Sequence, residues 1–344
     1  MTRYALLILP SANRVYAGAS ADLTVSELRV FGEAVLGGRL ERPAAATVAG
    51  VRYVIFEAGA VADREAAYLA NLSSAYALFQ LEGDLLRPVE LRPLDRFDDD
   101  LITIQKYQGK TNEQFTKLLL NVTLLASAFA GEMLDRSFSV LDPLCGRGTT
   151  LNQVLMYGWD AAGIDLDRKD FEAYAAFIQT WLKRKRIKHH AEQGPLRVGG
   201  RVAGRRLRVS LAAAKEDYKA GRTQHLDVVN ADTTRAREFF RAGPFDLVVA
   251  DAPYGVQHGS RTTAKGLARS PLDLLAEAAP VWAGLLRSGG ACGLAWNTLV
   301  ARREEAAKIL AGAGLDPVDS GPYLGFRHRV DQAIMRDIRV ARKP

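Results

Sequence analysis

Apolar positions recur with two different periods along this chain. Near the N-terminus, "YALLILP" and "VRYVIFEA" are short runs rich in β-branched and aromatic residues, which predict strands. "TVSELRVFGEAV" and "DREAAYLANLSSAYALFQL" follow the helical period, and Thr24 with Glu27 forms a Thr-x-x-Glu capping box for the first of them. Residues 1–95 therefore predict a small α/β unit. "LRPVELRPLDRFDDD" mixes prolines with charge and predicts a linker, set at residues 96–110. A second α/β region follows over 111–344, opening with the amphipathic helix "TNEQFTKLLLNVTLLASAFAG", for which Thr111 or Asn112 is the N-cap candidate. From residue 138 the pattern alternates. The strands "FSVLDP", "DAAGIDL", "LDVVNAD", "FDLVVADAP" and "ACGLAWN" are separated by the helices "TTLNQVLMYG", "KDFEAYAAFIQTWLKRK", "SPLDLLAEAAPVWAGLLRSG" and "ARREEAAKILAGAG". Continuous apolar strands spaced by helices predict a doubly wound, mostly parallel sheet. The strand-like end "FRHRVDQAIMRDIRVARK" would close it.

Composition adds limits. The chain has 344 residues, 48% hydrophobic and 25% charged, as soluble globular proteins do. No apolar run reaches the roughly 20 residues of a membrane span, and Pro10 ends the first apolar run too early for a signal peptide. Cys145 and Cys292 are far apart, which suits a reducing, cytoplasmic setting and excludes zinc-type spacing. The net charge of +7 is concentrated in one place. Residues 183–222 hold 13 Lys/Arg against 3 Asp/Glu, whereas residues 1–100 hold 10 against 14. A polyanion would be met at this basic insertion, at Lys183, Arg184, Lys185, Arg186, Arg205 and Arg206; the plainer reading is a solvated insertion. His189 and His190 inside it lack further ligands and read as surface residues, so no metal is expected.

The chemistry starts at "VLDPLCGRGTT", residues 140–150. In a doubly wound sheet the first strand ends at the switch point where ligands bind. Gly146 and Gly148 let the backbone turn tightly and come close to a ligand, and the next helix presents free amides. A dinucleotide fingerprint would need a third glycine, but Leu151 stands there. A ligand with an amine and a carboxylate fits better, such as the methionine moiety of S-adenosylmethionine, with Asp142 taking the cation. Asp165 lies 19 residues after Gly146 at the tip of the second strand, where ribose hydroxyls are held; Asp167 reads as a helix cap. Asp232 ends the third strand, in reach of an adenine amino group. "GKT" at 109–111 lacks the upstream glycine of a phosphate loop.

A fourth strand runs into Asp251-Ala252-Pro253-Tyr254-Gly255. This segment resembles the (Asp/Asn/Ser)-Pro-Pro-(Tyr/Phe/Trp) motif of S-adenosylmethionine-dependent amino-methyltransferases, and "DPLCGRG" resembles their cofactor motif. The resemblance covers roughly residues 110–344. It implies a Rossmann-like class I methyltransferase with a seven-stranded sheet, S-adenosylmethionine as cofactor, and cofactor contacts from Asp142, Leu144, Cys145, Gly146, Gly148, Asp165, Leu166, Asp232, Thr111 and Asn112. It also implies a catalytic set. The Asp251 carboxylate and the Ala252 carbonyl accept the hydrogens of an exocyclic amine, Pro253 stiffens the turn, and Tyr254 stacks on an extruded base.

"DAPYGVQHG" is most similar to the corresponding segment of tRNA guanosine-N2 methyltransferases of the THUMP-associated type. Those enzymes carry a ferredoxin-like region and a THUMP domain before the catalytic domain. Here only about 95 residues, net acidic, stand in that place, enough for the ferredoxin-like piece. Arg147 replaces the small residue usual between the two glycines, and Ala252 replaces a proline. The resemblance implies tRNA or another nucleic acid as partner. An adenine-N6 or cytosine-N4 DNA methyltransferase, an amino-methyltransferase of a small molecule or peptide, and a non-catalytic binding module are the alternatives.

Overall fold

The structure, a computed structural model, describes residues 1–252 and 271–344. The N-terminal part begins with β1 (Thr2–Ile8), α1 (Arg14–Ala34), β2 (Glu41–Val48), β3 (Val51–Ala58), α2 (Asp63–Leu69), β4 (Ala75–Glu82) and β5 (Leu85–Val89). The strands form an antiparallel sheet in the order β2-β3-β1-β4-β5. Tyr4, Leu6 and Ile8 of β1 and Val54, Phe56 and Ala58 of β3 turn one face of it toward the core.

Two local expectations fail here. α1 starts at Asn13, whose Oδ1 accepts the amides of Val15 and Tyr16 at 3.0 and 3.1 Å. Thr24 and Glu27 are therefore buried in mid-helix instead of capping it. The Thr24 hydroxyl donates back to the Ser20 carbonyl at 2.7 Å. The small residues upstream, "AGASAD", extend the helix without adding to the apolar signal. The helical run expected over 63–81 also divides, because "AYALFQLE" finds β1 as a partner and becomes β4; strand pairing overrides the local period.

The short α3 (Asp100–Thr103) and α4 (Glu113–Ala126) lead into the larger sheet. Its elements are β6 (Ser139–Asp142), α5 (Thr149–Met156), β7 (Asp160–Asp165), α6 (Arg168–Arg184), β8 (Lys188–Val198), β9 (Arg201–Ala212), α7 (Lys215–Lys219), β10 (Gln224–Asn230), β11 (Phe245–Asp251), α8 (Pro271–Leu285), β12 (Leu286–Asn297), α9 (Arg303–Gly312), β13 (Asp316–Val318), β14 (His328–Arg329) and β15 (Met335–Arg342). The order is β13-β15-β12-β11-β6-β7-β10-β9-β8, with β14 on β15. β10, β7, β6, β11 and β12 are mutually parallel, while β15 enters antiparallel. The sheet thus has ten strands among the described residues, not seven. The basic insertion accounts for most of the difference: it is the hairpin β8–β9, joined to β10.

The segment expected to be a linker is held against the larger domain. The Arg96 amide donates to the Met156 carbonyl at 2.7 Å, and Trp181 Nε1 donates to Asp100 Oδ1 at 2.9 Å. Leu101 is 1% exposed.

α4 lies between α1 and strands β11, β12 and β15, with Phe115, Leu118, Leu119, Leu120, Val122, Leu124 and Leu125 all buried. A polar network crosses it. Asn121 Nδ2 donates to Glu27 Oε1 at 2.7 Å and to the Asn71 carbonyl at 2.8 Å, while Asn121 Oδ1 accepts the Tyr157 hydroxyl at 2.8 Å. The Ser73 hydroxyl donates to Glu27 Oε2 at 2.6 Å, and its amide reaches both oxygens. Burial raises the pKa of the Glu27 carboxyl above its ordinary value, against these donors. Asn121→Ala removes one donor from a fully buried carboxyl and leaves the Tyr157 hydroxyl only its longer bond to the Asn71 carbonyl, at 3.3 Å. Denaturant melts are expected to show a loss of about 2–4 kcal/mol; a loss under about 1 kcal/mol would show that the network contributes little.

Candidate active site

The parallel strands end together on one edge of the sheet, and each ends near an acid. Asp142 closes β6, Asp165 closes β7 and Asp251 closes β11, while Asp232 follows β10 by two residues. Between β6 and α5 the chain turns through Gly146 (φ +49°) and Gly148 (φ +80°), both left-handed. Gly148 has a second constraint: a Cβ there would lie 2.2 Å from the Tyr174 ring. The Gly146 amide donates to Asp165 Oδ2 at 2.7 Å, so the second strand tip holds the glycine turn of the first.

Crowding shows in the titration of these acids. Asp142 is 3% exposed, and burial pushes its carboxyl up to about 7, with the charges of Asp251 and Asp165 adding to the rise. Its Oδ1 accepts the Leu144 amide at 3.1 Å. Burial likewise pushes Asp165 up to about 6, although the amides of Asp167 and Gly146 oppose the shift. Cys145 is buried, its amide donating to the Ile164 carbonyl at 2.9 Å. Leu166, beside Asp165, is 44% exposed, an uncovered apolar side chain next to the acid. Asp232 caps the turn after β10, its Oδ1 accepting the Thr234 amide and hydroxyl at 2.9 and 2.8 Å.

Asp251 is gripped from two sides. The Thr111 hydroxyl donates to its Oδ2, and Arg336 Nη2 lies 3.8 Å from the same oxygen. Arg336 is 4% exposed, its guanidinium 4.3 Å from the centre of the Phe115 ring. His328 stands opposite Arg336 in the β14–β15 register. Burial lowers its pKa to about 4, so it is neutral beside the carboxylate. Its Nδ1 faces the Phe326 carbonyl at 2.9 Å, and its ring packs on Phe115 at 5.2 Å and edge-on to Tyr16 of α1 at 6.0 Å.

Several expected contacts are placed elsewhere. Thr111, expected near the cofactor carboxylate, bonds Asp251. Asn112 caps α4, its Oδ1 accepting the Phe115 amide at 3.0 Å, while its Nδ2 donates to Ser11 Oγ at 3.0 Å. Arg147 pairs with Asp170 at 2.8 Å and stacks on Tyr107 at 4.9 Å, and the Tyr107 hydroxyl meets Thr149 Oγ1 at 3.2 Å. Of the basic residues, Arg206 is locked onto Asp227 and over the Phe240 ring, and Lys185 bridges Asp98 and Asp100 at 2.7 Å each. Both are already ion-paired within the chain. Pro253 and Tyr254 lie outside the described residues. Arg336 and His328 escaped sequence analysis, because a lone arginine or histidine in a closing strand carries no spacing signal. Among the described residues no helix is long and apolar enough to cross a membrane, and no group of three or more His, Cys, Asp or Glu side chains is placed to hold a metal.

Residues 124–289, which include all four strand-tip acids, match the family model described as RMKL-like, methyltransferase domain. A curated relative, the ribosomal RNA large subunit methyltransferase K/L of Photobacterium profundum, is 32% identical over 129 residues, covering 35% of this chain and 18% of the relative. The chain therefore spans under a fifth of the length of that protein. Among solved structures, TrmN from Thermus thermophilus is 15% identical with a TM-score of 0.46, covering 100% of both chains. The 1,6-didemethyltoxoflavin-N1-methyltransferase of Burkholderia thailandensis is 19% identical with a TM-score of 0.35, covering 63% of this chain and 76% of that one.

Raised carboxyl pKa values make a signed prediction. In the unfolded chain Asp142 ionises near 4, and in the folded protein near 7. Its burial therefore favours folding fully below pH 4, and that contribution is lost as pH rises through 7. Asp142→Asn is expected to raise thermal stability at pH 8, by at most about 4 kcal/mol, and by only about 1.5 kcal/mol at pH 5. Equal effects at both pH values would refute the shifted titration. The strand-tip acids and glycine turn that generate this effect lie within residues 124–289, the segment that matches the RMKL-like methyltransferase domain model.

Proposed function

We propose that this protein methylates the exocyclic amino group of a base in RNA, with guanosine N2 in tRNA as the specific target. The observation that carries this reading is Asp251. It ends β11 on the same edge as Asp142 and Asp165, and Thr111 and Arg336 hold its carboxylate. An exocyclic amine is a poor nucleophile because its lone pair is delocalised into the ring. A fixed carboxylate accepting one N–H, with the Ala252 carbonyl accepting the other, favours a tetrahedral nitrogen whose lone pair is available for attack. The resemblance of "DAPYGVQHG" to guanosine-N2 enzymes supports the base, and the name of the curated relative supports RNA as the substrate class.

The residues present fit the cofactor. The glycine turn leaves the backbone of Gly146 open to close approach, and Asp142 is an acid whose burial is relieved by a cation. In our reading Asp142 takes the cofactor's ammonium, and Leu144, Cys145 and the glycine turn surround its methionine end. Asp165 takes the ribose hydroxyls, Leu166 covers the adenine, and Asp232 receives the adenine amino group at its Oδ2. When bound, S-adenosylmethionine supplies an activated methyl group. The protein contributes position and charge, and the proton lost by the amine passes to Asp251 or to water. Pro253 and Tyr254 are assigned the turn and base stacking from their sequence alone. We also read the N-terminal β1-α1-β2-β3-α2-β4 unit as ferredoxin-like with β5 added, and β13-β15-β12-β11-β6-β7-β10 as the seven-stranded sheet of class I methyltransferases, extended by the hairpin.

The test is transfer of tritium from labelled S-adenosylmethionine to tRNA, ribosomal RNA, genomic DNA and a small-molecule extract, offered separately. Label in tRNA, recovered as N2-methylguanosine, is expected; label confined to DNA or to the extract overturns the substrate. Asp251→Asn is expected to reduce turnover on the order of 10²–10⁴-fold with cofactor affinity nearly unchanged. A fully active variant removes the basis of the assignment.

A further inference from the structure

β9 pairs with β10 from Leu211 opposite Gln224 to Arg205 opposite Asn230, where β10 ends. The hairpin does not end there. Arg201, Val202 and Gly204 of β9 remain paired with Val198, Arg197 and Leu196 of β8, and Gly199 and Gly200 form the turn. At about 3.4 Å per residue, the tip overhangs the end of β10 by roughly 13 Å. This is the edge at which β10, β7, β6 and β11 present Asp232, Asp165, Asp142 and Asp251. The hairpin tip is a wall beside the site, next to β10.

Its charge is one-sided. Residues 193–206, "QGPLRVGGRVAGRR", contain four arginines and no acid. Arg206 is spent on Asp227. Arg197 and Arg201 are exposed and make no ion pair among the described residues; Arg197 Nη1 donates only to the Gly200 carbonyl, at 3.3 Å. Val202, next to Arg201 and opposite Arg197, is 61% exposed. The cluster at residues 183–186 is placed differently. α6 starts at the site edge and runs 17 residues away from it, about 25 Å, so Lys183, Arg184 and Arg186 stand at the opposite edge of the sheet. That is about three Debye lengths at physiological salt.

A polyanion approaching the strand tips meets a concentration of carboxylates, so cations at the same edge are needed to hold it there. We propose that Arg197 and Arg201, at the hairpin tip, contact phosphates of the RNA flanking the target base, and that the cluster at the end of α6 does not take part. This rests on the RNA reading above and narrows it to one surface.

The experiment compares full-length wild type with Arg197→Ala/Arg201→Ala and with Lys183→Ala/Arg184→Ala/Arg186→Ala. Each is titrated by fluorescence anisotropy against a labelled, unmodified tRNA transcript between 50 and 200 mM salt. The hairpin double variant is expected to lower the slope of log affinity against log salt by about 2, and Arg197→Lys/Arg201→Lys to restore it. Cofactor affinity by calorimetry and the thermal midpoint are expected to stay at wild-type values. The triple variant is expected to keep the wild-type slope. An unchanged slope in the double variant, or a fall only in the triple, overturns the proposal. Wild type that binds the transcript without salt dependence overturns this surface and the RNA reading together. Wild type that binds with the expected slope but methylates no RNA overturns the activity alone.

Discussion

A carboxylate with no exposed surface must be surrounded by donors, and Glu27 sets that condition for the whole chain. Its donors come from Ser73, in the N-terminal part, and Asn121 on α4. Asn121 in turn requires Asn71 and Tyr157, so α1, α4 and the end of α5 are fixed against one another by one connected network. The apolar core is continuous across the same boundary, from Tyr4 and Phe31 to Leu118 and Val340. The N-terminal part is therefore not an appendage on a linker. It packs on α4, and α4 begins at the residues that reach Asp251 and Ser11.

That arrangement carries mechanical order to the site. Asn112 joins the first loop of the N-terminal part to the start of α4, and the neighbouring Thr111 bonds Asp251. Tyr16 of α1 supports His328, which faces Arg336 across β14 and β15. A neutral histidine here is consistent: a second cation beside Arg336 would compete for Asp251, and burial keeps the imidazole uncharged. The carboxylate proposed to steer the amine stands at the end of β11 and is met there by side chains from before α4 and from the last strand.

The parts of this design that were legible in sequence are those with short-range signals. The parallel strands appear as continuous apolar runs because both faces are covered, and the acids at their tips follow from the switch-point geometry of such sheets. The two glycines were legible because only glycine takes a left-handed turn without strain. What was not legible depended on partners distant in sequence. Thr24 and Glu27 match a capping box perfectly well in isolation; only Ser73 and Asn121, from 46 and 94 residues away, show why the glutamate is there. β4 reads as helix until β1 pairs with it. Arg206 and Lys185 read as free cations until Asp227, Asp98 and Asp100 arrive beside them.

The same distinction explains how an acidic cofactor cradle can coexist with a polyanionic substrate. Net charge does not solve that problem, since most of the basic residues of the insertion are either paired or at the wrong edge. Position solves it. A hairpin that only completed the sheet would stop at Arg205, level with the end of β10. Past Arg205, Leu196 with Val198 and Ala203 still packs on Val229, Ala231 and Phe239, but Arg197 and residues 199–202 at the tip are exposed. The extension also exposes a valine and two arginines to water, which folding does not require. Burial accounts for the hairpin's base, where Leu207, Val209 and Leu211 enter the core. The tip has no such account within the chain, and its charge is opposite to that of the strand tips it overlooks, which is the complement an RNA backbone needs at that edge.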